Sequence, residues 1–402
     1  MKYEDLRTPS YIVSEGALLK NLKILKDIQD KALCKILLAQ KAFSMYKTYP
    51  LISKFLIGTT ASGLFEARLA FEEFGDDSLE IAPENHVFEP AYKDDELREI
   101  CEIATHVYFN SISQLERFRY IWEPYQKEGR IKVALRINPE LSTQEGHEIY
   151  DPCGKCSRLG IRLENMPTHL PEGVTGIHFH TLCEQGSEPL DETFKVVEEK
   201  FGTYLKEAEF INMGGGHHIT KDDYNRELLL DVVKRARENW GLEVYLEPGE
   251  AIAINAGTLI TRVLDIVETT DYPTLILDAS AACHMPDVLE MPYTPPLFDA
   301  LEGFTAGESI PEDAGERDGV IVRLASRTCL AGDIIGIYRF NSLPKIGDIL
   351  TFGDMAIYSM VKNNTFNGMA LPDIVLEHDM EDDNRFEIVK HFTYSDFKER
   401  LS

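Results

Sequence analysis

The 402-residue sequence lacks the long apolar runs of a membrane protein. No segment approaches the roughly 18 consecutive apolar residues that a membrane-spanning helix needs. The opening segment, MKYEDLRTPS, also lacks the basic and then apolar pattern of a secretory signal. We therefore expect a cytoplasmic protein. Apolar residues still make up 44% of the chain, which is enough for a large buried core.

Regularly spaced cysteines and a surplus of positive charge are also missing. Seven cysteines, an odd number, predict reduced thiols rather than a disulfide framework. The 41 basic and 68 acidic residues give a net charge of −27, which argues against nucleic acid and anionic membranes as partners. A negative field attracts cationic ligands, but many cytosolic proteins are acidic merely for solubility. The charge gains a functional meaning only once a site is found.

Short β-branched runs alternate with amphipathic runs over the first 250 residues. The predicted strands are Cys34–Leu38, Phe55–Thr59, Ser78–Ile81, His106–Phe109, Ile131–Arg136, Val174–Phe179, Glu209–Asn212 and Glu243–Leu246. The predicted helices include Ser62–Phe74, Asp95–Ala104, Ser111–Trp122, Glu188–Glu207 and Thr220–Trp240. Eight strands alternating with helices predict a closed (β/α)8 barrel, which belongs to the α/β class. A doubly wound open sheet remains an alternative.

The pattern changes after Glu247, where strand-like segments separated by Gly, Pro and Asn predict a mainly antiparallel β-domain. These segments are Leu275–Ala279, Gly319–Leu324, Ile334–Tyr338, Ile349–Gly353 and Phe386–Tyr394. The segment Pro9–Val13 is also strand-like and precedes the first barrel helix. We therefore expect a barrel over residues 14–250 and a β-domain formed by residues 1–13 and 251–402.

Four features follow predicted barrel strands, where barrel enzymes place their functional groups. Lys41 follows the first strand, His180 the sixth, Gly214–Gly216 the seventh and Glu247 the eighth. Because the carboxyl ends of parallel barrel strands share one face, we expect these features to meet at one mouth.

Each feature suits one part of a pyridoxal phosphate site, although each also has an ordinary structural explanation. A desolvated Lys41 amine suits a Schiff base, but a lysine at a strand end often extends its charge into solvent. The turn Gly214–Gly216 exposes backbone N–H groups to a phosphate, but tight turns need glycine too. Glu247 suits a pyridine nitrogen or a rim salt bridge, and His180 suits ring stacking or a simple hydrogen bond.

A metal-dependent hydrolase is a competing hypothesis. His178 and His180 point to the same side of a strand, and Cys183 follows closely. Cys153 and Cys156 also have ligand-like spacing, but no second cysteine pair completes a four-ligand site. We expect no metal.

The whole pattern resembles the fold-type III, alanine-racemase-like pyridoxal-phosphate decarboxylases, a family that includes ornithine and diaminopimelate decarboxylases. The resemblance extends from TPSYIV to NTFNGM. It implies that Lys41 carries the cofactor, that His180 stacks on the ring, and that Glu247 contacts the ring nitrogen. It further implies that Gly214–Gly216, with Cys183 and Tyr358, hold the phosphate. A second subunit would lend the residues Cys329 and Asp333.

One position departs from this family. Relatives such as ornithine decarboxylase have EPGR, whose arginine contacts phosphate, whereas this chain has EPGE with Glu250. Phosphate binding must then rely more on the glycine turn and Tyr358.

Within the family, EPGE, HFHTLCEQ, TCLAGD and DASAACHMPDVLEMPY resemble the carboxynorspermidine decarboxylases. That resemblance implies an elongated polyamine substrate, a role for Cys329 as proton donor, and a homodimer with shared sites. Candidate substrate-binding residues are His284, Asp287, Glu290 and Asp333. Asp287 and Glu290 are equally compatible with the border of a surface loop. Diaminopimelate or ornithine decarboxylation and a non-catalytic pyridoxal-phosphate carrier remain alternatives.

Overall fold

The structure is a computed structural model that describes residues 3–75, 81–144, 148–306, 317–380 and 385–402. The chain divides into two compact units. Lys20–Ile252 form the first, here called the barrel unit, and Met1–Leu19 with Ala253–Ser402 form the second, the sheet unit. Among the described residues, no helix combines the length and the apolar character needed to cross a membrane.

Strands and helices are numbered here in chain order. The strands are β1 (Ser10–Ser14), β2 (Lys35–Ala39), β3 (Gly58–Ala61), β4 (Glu84–Phe88), β5 (His106–Phe109), β6 (Lys132–Arg136), β7 (Val174–His178), β8 (Phe210–Asn212), β9 (Glu243–Leu246), β10 (Gly257–Val267), β11 (Thr274–Leu277), β12 (Glu302–Phe304), β13 (Val320–Ser326), β14 (Ile334–Phe340), β15 (Ile349–Phe352), β16 (Asp373–Glu377) and β17 (Phe386–Lys390). The α-helices are α1 (Glu15–Ala32), α2 (Tyr49–Ile52), α3 (Leu64–Glu73), α4 (Asp94–Ile103), α5 (Ile112–Arg117), α6 (Arg119–Lys127), α7 (Ser187–Glu207), α8 (Arg226–Trp240), α9 (Glu250–Ala253), α10 (Ala281–His284), α11 (Asp287–Glu290) and α12 (Tyr394–Glu399).

Strands β2 to β9 form a closed barrel in which every pairing is parallel, with β9 pairing back to β2. The predicted (β/α)8 barrel is thereby confirmed, and the open sheet is excluded. Inside the barrel, Tyr108, Phe210 and Tyr245 pack with Leu37 and Ala134. Burying each large side chain contributes roughly 1.5–3 kcal/mol, so this packed interior is a core and not a pore.

The helices cover the outer face of the barrel because their apolar residues recur at helical spacing. In α4, for example, Leu97, Ile100 and Cys101 are buried while acidic residues occupy the first turn. They pack in one cluster with Val107 and Leu135 of the barrel strands. The strands are therefore shielded on both sides, which explains why they read as nearly continuous apolar runs.

The sheet unit contains a sheet in the order β12-β14-β13-β11-β10-β1-β16-β17, with β15 also pairing with β10. Its β1 pairs with β10 and β16, so the start of the chain lies inside this sheet. Two pairings, β1 with β16 and β11 with β13, are parallel. The sheet is therefore mixed. The parallel pairings are possible because long connections separate the paired strands along the chain.

The sequence misplaced two elements, β4 and α8, and missed two others, β10 and β16. Residues 78–80 of the predicted strand Ser78–Ile81 lie outside the described residues, and the third barrel strand is β4 instead. Polar Asn85 and His86 interrupt the apolar pattern of β4, which hid it. The long β10 and the short β16 were not predicted. The helix α8 begins after the N-cap Asn225 rather than at Thr220, because residues 217–224 form a loop.

Candidate active site

The carboxyl ends of β2, β7, β8 and β9 meet within the barrel unit. The Ala39 N–H donates to the Pro248 carbonyl at 3.1 Å, which joins the end of β2 to the EPG loop. The Gly215 N–H donates to Nδ1 of His180 at 3.1 Å, which joins the glycine turn to the segment after β7. The structure thus brings together the segments that carry Lys41, His180, Gly214–Gly216 and Glu247.

Lys41 is exposed to solvent, yet its pKa is lowered. Desolvation by the surrounding protein is the main cause, and the nearby Arg136 guanidinium adds to it, while Glu247 and Cys183 act in the opposite direction. A side chain that is open to solvent but surrounded by protein lies in a deep mouth rather than on the outer surface. Its amine is therefore easier to deprotonate than an ordinary surface lysine.

The glycine turn is required by close backbone packing. Gly214 and Gly216 have φ values of +71° and +82°. A Cβ on Gly216 would lie 1.9 Å from the Leu182 carbonyl oxygen, and one on Gly215 would lie 1.9 Å from that of Glu247. Larger residues are excluded even before any ligand is considered.

Only part of this turn can serve as a phosphate cradle. The Gly214 N–H donates to Oδ1 of Asn212 at 2.9 Å, and the Gly215 N–H donates to His180. Within the described ranges, the N–H groups of Gly216 and His217 have no acceptor. The consecutive donors available to an anion are therefore shifted towards the end of the turn.

Two histidines lie two positions apart, His178 as the last residue of β7 and His180 just beyond it. Burial, together with the positive charges of Lys41 and Arg136, holds the pKa of His180 well below its usual range, so its ring is neutral. Burial also lowers the pKa of His178. Neither ring nitrogen of His178 forms a hydrogen bond among the described residues, and its Nε2 lies 3.5 Å from Oε2 of Glu247.

Glu247 is a buried carboxylate. Burial alone would raise its pKa, but His178 and the amide of Asn212 outweigh burial and lower the pKa to about 2. The Asn212 Nδ2 donates to Oε1 of Glu247 at 2.6 Å. The carboxylate is therefore charged at neutral pH, as a partner for a protonated ring nitrogen must be.

Arg136, at the end of β6, is a buried cation that sequence reasoning missed. Its Nη2 donates to the His180 carbonyl at 3.1 Å, and its guanidinium lies 4.5 Å from the ring centre of Phe88. Burial lowers its pKa to about 10. A charged residue that closes the apolar run IKVALR was the available signal. With Lys41 it gives the mouth a positive potential suited to an anionic ligand.

Glu250 is paired with His218, the second histidine after the glycine turn. Its Oε2 accepts a hydrogen bond from Nε2 of His218, and both side chains are largely buried. The acidic residue that replaces the family arginine thus has a hydrogen-bond partner within the barrel unit.

The predicted residues Cys329 and Tyr358 lie in the sheet unit. Cys329 is exposed, and its N–H donates to Oδ1 of Asn367 at 2.7 Å. Tyr358 is half-buried and has a φ of +52°, a conformation that non-glycine residues rarely adopt.

Asp333 is buried and already has several partners. It accepts hydrogen bonds from Oγ of Ser280 at 2.7 Å, from the Ala282 N–H at 3.1 Å, and from Oγ1 of Thr328 at 2.5 Å. Its carboxylate therefore anchors the segment that carries Cys329, and we do not assign it to a substrate amine.

His284 is completely buried. Its Nδ1 accepts from the Ser280 N–H at 3.2 Å, its Nε2 lies 3.1 Å from the Ala370 carbonyl, and burial lowers its pKa to about 4. The expectation that His284 lines a substrate loop is therefore not supported, since both ring nitrogens have structural partners.

Asp287 and Glu290 are held together by a lysine. Nζ of Lys362 donates to both carboxylates, which lie on α11. The two acidic groups thus share Lys362 as a partner. No local pattern indicated this pairing, because more than seventy residues separate Lys362 from them.

Two clusters of described residues have atoms close enough to share a metal ion: Glu84 with His86 and His106, and His178 with His180 and Glu247. Neither cluster includes Cys153, Cys156 or Cys183. In the first, Nζ of Lys35 lies 2.7 Å from Glu84 and already supplies its positive charge.

The residues of the mouth fit pyridoxal phosphate. The desolvated amine of Lys41 suits the aldehyde, and the neutral imidazole of His180 suits the ring. The charged, buried carboxylate of Glu247 suits the ring nitrogen, and the two available N–H groups suit the phosphate. The family model described as "Pyridoxal-dependent decarboxylase, C-terminal sheet domain" matches residues 11–356. The chain belongs to this pyridoxal-dependent decarboxylase family.

Two relatives resemble the chain over its whole length. A carboxynorspermidine/carboxyspermidine decarboxylase from Campylobacter jejuni is 38% identical, and the alignment covers 100% of both chains. A carboxyaminopropylagmatine decarboxylase from a Synechocystis species is 36% identical and covers 100% of this chain and 97% of the relative.

A solved structure is similarly close to this pyridoxal-dependent decarboxylase. The carboxynorspermidine decarboxylase of Campylobacter jejuni, in complex with norspermidine, has a TM-score of 0.87 and 36% identity. The match covers 98% of this chain and 100% of that one. These decarboxylase matches cover both the barrel unit and the sheet unit of the chain. They therefore argue against a metal-dependent hydrolase and against a carrier that consists of the barrel alone.

Proposed function

We propose that this pyridoxal-dependent decarboxylase acts on carboxynorspermidine and carboxyspermidine, and releases carbon dioxide from their α-amino acid end. The observation that carries the proposal is the arrangement of the mouth. There the pKa of Lys41 is lowered, and the charged carboxylate of Glu247 is near enough to act on the Lys41 amine electrostatically. The substrate class is inferred from the two Campylobacter jejuni matches.

Each group of the mouth has an assigned partner on the cofactor. Lys41 would hold the aldehyde carbon, and Glu247 would keep the proton on the ring nitrogen. The neutral ring of His180 would hold the cofactor ring. The N–H groups of Gly216 and His217 would donate to the phosphate, with Cys183 as a further phosphate contact.

The protein residues then divide the chemistry among them. Pyridoxal phosphate, when bound, supplies an electron sink for the electron pair that the departing carboxylate leaves behind. Glu247 stabilises the positive charge on the ring nitrogen throughout. Lys41, with its lowered pKa, would supply a neutral amine at the aldehyde end of the cofactor.

Protonation of the product carbon is assigned to Cys329. Its thiol is exposed on a segment anchored by Asp333, as a group offered to another chain must be. We infer that a second copy of the protein supplies this thiol, so that a homodimer forms the complete site. Mixing a Lys41→Ala chain with a Cys329→Ala chain should restore about one quarter of wild-type activity, because random pairing creates one intact site in half of the dimers.

The distal amines of the substrate are assigned to the acidic pair Asp287 and Glu290. Both carboxylates lie at Lys362, and their oxygens suit the ammonium groups of a polyamine. The net charge of −27 then has a function, because a negative field raises the local concentration of a polycation.

A second candidate substrate is carboxyaminopropylagmatine, which the Synechocystis relative decarboxylates according to its name. Its identity to this chain, 36%, is close to the 38% of the Campylobacter jejuni relative. Both substrates present an amino acid at one end and a cationic group at the other, so the same acidic pair would serve either.

One assay tests the proposal directly. Release of carbon dioxide should be measured with carboxynorspermidine, carboxyspermidine, carboxyaminopropylagmatine, ornithine and diaminopimelate. We expect kcat/KM for the first two to exceed that for ornithine and diaminopimelate by at least about tenfold, because the short substrates are not expected to reach the acidic pair with an ammonium group. A higher kcat/KM for ornithine or diaminopimelate would overturn the assignment, and the highest value for carboxyaminopropylagmatine would favour the second candidate.

A further inference from the structure

Asn212, the last residue of β8, is fully buried behind the mouth. Its side-chain amide contacts three groups. Oδ1 accepts from the Gly214 N–H at 2.9 Å, and Nδ2 donates to Oε1 of Glu247 at 2.6 Å and to the hydroxyl of Tyr108 at 3.0 Å. One amide therefore bonds both to the glycine turn and to the carboxylate assigned to the ring nitrogen.

The orientation of this amide is fixed by its surroundings. The Gly214 N–H can only donate, so the atom facing it must be the amide oxygen. The charged carboxylate of Glu247 can only accept, so the amide nitrogen must face it. Both hydrogens of Nδ2 are thus used, one for Glu247 and one for Tyr108, and a flipped amide would lose the bonds to Gly214 and Glu247.

The hydrogen bonds continue from Tyr108 through the barrel interior. The Tyr108 hydroxyl, which accepts from Asn212, has its own proton free for Nδ1 of His86 at 2.7 Å. His86 then carries its proton on Nε2, which lies 2.8 Å from Oε2 of Glu84. Nζ of Lys35 in turn donates to Oε1 of Glu84 at 2.7 Å.

This chain of bonds limits the movement of Glu247. Each hydrogen that the Asn212 amide and the Tyr108 hydroxyl donate has its own acceptor, so rotating the amide would leave buried polar groups without partners, at a cost of roughly 1–3 kcal/mol for each group. Oε1 of Glu247 is therefore occupied by the protein, and Oε2, which lies 3.5 Å from His178, is the oxygen left for a ligand.

We propose that Asn212 is a positioning residue that couples the ring-nitrogen site to the phosphate site of the cofactor, with Tyr108 and His86 holding its amide in place. The inference rests on the proposed function. It predicts that one substitution at Asn212 weakens binding at both ends of the cofactor, although its side chain touches neither end.

Two variants of Asn212 separate its roles. Asn212→Asp keeps an oxygen acceptor for the Gly214 N–H but replaces the donor to Glu247 by a second carboxylate. Asn212→Leu has a similar volume and removes all three bonds. Tyr108→Phe removes the hydroxyl that holds the amide. The matched control is Tyr204→Phe on the outer helix α7, which loses one hydrogen bond to the Pro167 carbonyl.

The cofactor-binding readouts are titrations of apoenzyme with pyridoxal phosphate and with inorganic phosphate as competitor. For Asn212→Leu we expect the affinities for pyridoxal phosphate and for inorganic phosphate to fall by at least about tenfold. A loss of this size corresponds to one charge-assisted hydrogen bond. For Asn212→Asp we expect phosphate affinity to stay within about twofold of wild type, while affinity for pyridoxal phosphate becomes dependent on pH between about 5 and 8. Tyr108→Phe should lower pyridoxal phosphate affinity by about threefold, and Tyr204→Phe should not change it.

A cofactor-free readout is the urea unfolding of the apoenzyme at several pH values. Two adjacent carboxylates in Asn212→Asp hold a shared proton more tightly than in the unfolded chain, so this variant should lose stability relative to wild type as pH rises. A phosphate affinity of Asn212→Leu equal to wild type would overturn the coupling. So would a pyridoxal phosphate affinity of Asn212→Asp that equals wild type at every pH.

The experiments distinguish a failure of the proposed function from a failure of the positioning role of Asn212. If wild-type protein bound no pyridoxal phosphate, the proposed function would fail and the positioning role would fail with it. If wild type bound the cofactor and decarboxylated a polyamine substrate, but the Asn212 variants matched it, only the positioning role would fail. If Asn212→Leu did not fold, Asn212→Asp and Tyr108→Phe would still decide the matter.

Discussion

Glu250 accepts a hydrogen bond from His218 immediately beyond the glycine turn. The pair explains how an acidic residue can lie next to the proposed phosphate site, because the hydrogen bond directs its carboxylate towards His218. The EPGE loop is close to the turn, since a Cβ on Gly215 would lie 1.9 Å from the Glu247 carbonyl oxygen.

The pairing of Glu250 with His218 predicts a non-additive effect on cofactor affinity. His218→Ala should weaken binding of pyridoxal phosphate by about tenfold, because Glu250 is left unpaired and repels the phosphate. The double variant His218→Ala with Glu250→Ala should bind more tightly than His218→Ala alone. Titration of the apoenzymes measures both affinities. Equal losses in the single and double variants would contradict this explanation.

Lys41 is predicted to carry the cofactor. Lys41→Ala should abolish the absorbance of the lysine-linked cofactor near about 420 nm, because no other amine is assigned to the aldehyde. Lys54→Ala, which removes an exposed lysine outside the site, should keep the band. A spectrum of each purified protein after incubation with pyridoxal phosphate is sufficient. Persistence of the band in Lys41→Ala would show that another amine holds the cofactor.

Gly216 is predicted to be intolerant of a side chain. Gly216→Ala should destabilise the fold by more than about 3 kcal/mol, because its Cβ would lie 1.9 Å from the Leu182 carbonyl oxygen and its φ is +82°. Gly241→Ala is the matched control, since Gly241 has a φ of +72° and nothing within 4 Å of its Cβ. It should cost only about 1 kcal/mol. Urea unfolding of both variants gives the comparison, and equal losses would exclude the clash as the cause.

Lys362 is predicted to weaken substrate binding by sharing the acidic pair. Lys362→Met should lower KM for carboxynorspermidine by about threefold while kcat stays constant, because Asp287 and Glu290 then both face the distal amines. Asp287→Asn with Glu290→Gln should raise KM. Steady-state kinetics distinguish these outcomes from a purely structural role, in which neither change would move KM. An unaltered KM in both variants would remove the pair from the substrate site.

Glu89, directly after β4, is predicted to make the stability depend on pH. Burial and the nearby Glu96 raise its pKa to about 7. The folded chain therefore holds this proton more tightly than the unfolded chain, whose glutamate titrates near 4.5. Its contribution to the free energy of unfolding falls as pH rises from about 4.5 through 7. Glu89→Gln removes this decline, so the stability difference between variant and wild type should grow over that range. A difference that is constant with pH in urea unfolding would refute the assignment.

Much of the site followed from the sequence because the fold is a parallel barrel. In such a barrel the carboxyl end of every strand lies at one face, so strand order alone predicts that Lys41, His180, Gly214–Gly216 and Glu247 share a mouth. No distance information was needed for that step. The same logic overlooked Arg136, although it closes β6 in the same manner, because it was read only as the last residue of a strand.

Local sequence patterns were enough to predict the alternation of strands and helices, and with it the residues at each strand end. The folded chain was needed to show which buried polar groups satisfy one another. Tyr108 and Asn212 are 104 positions apart, and Lys362 is 75 positions from Asp287. Such pairings depend on the register of distant strands and on the cost of burying an unpaired polar group, and no local pattern records either.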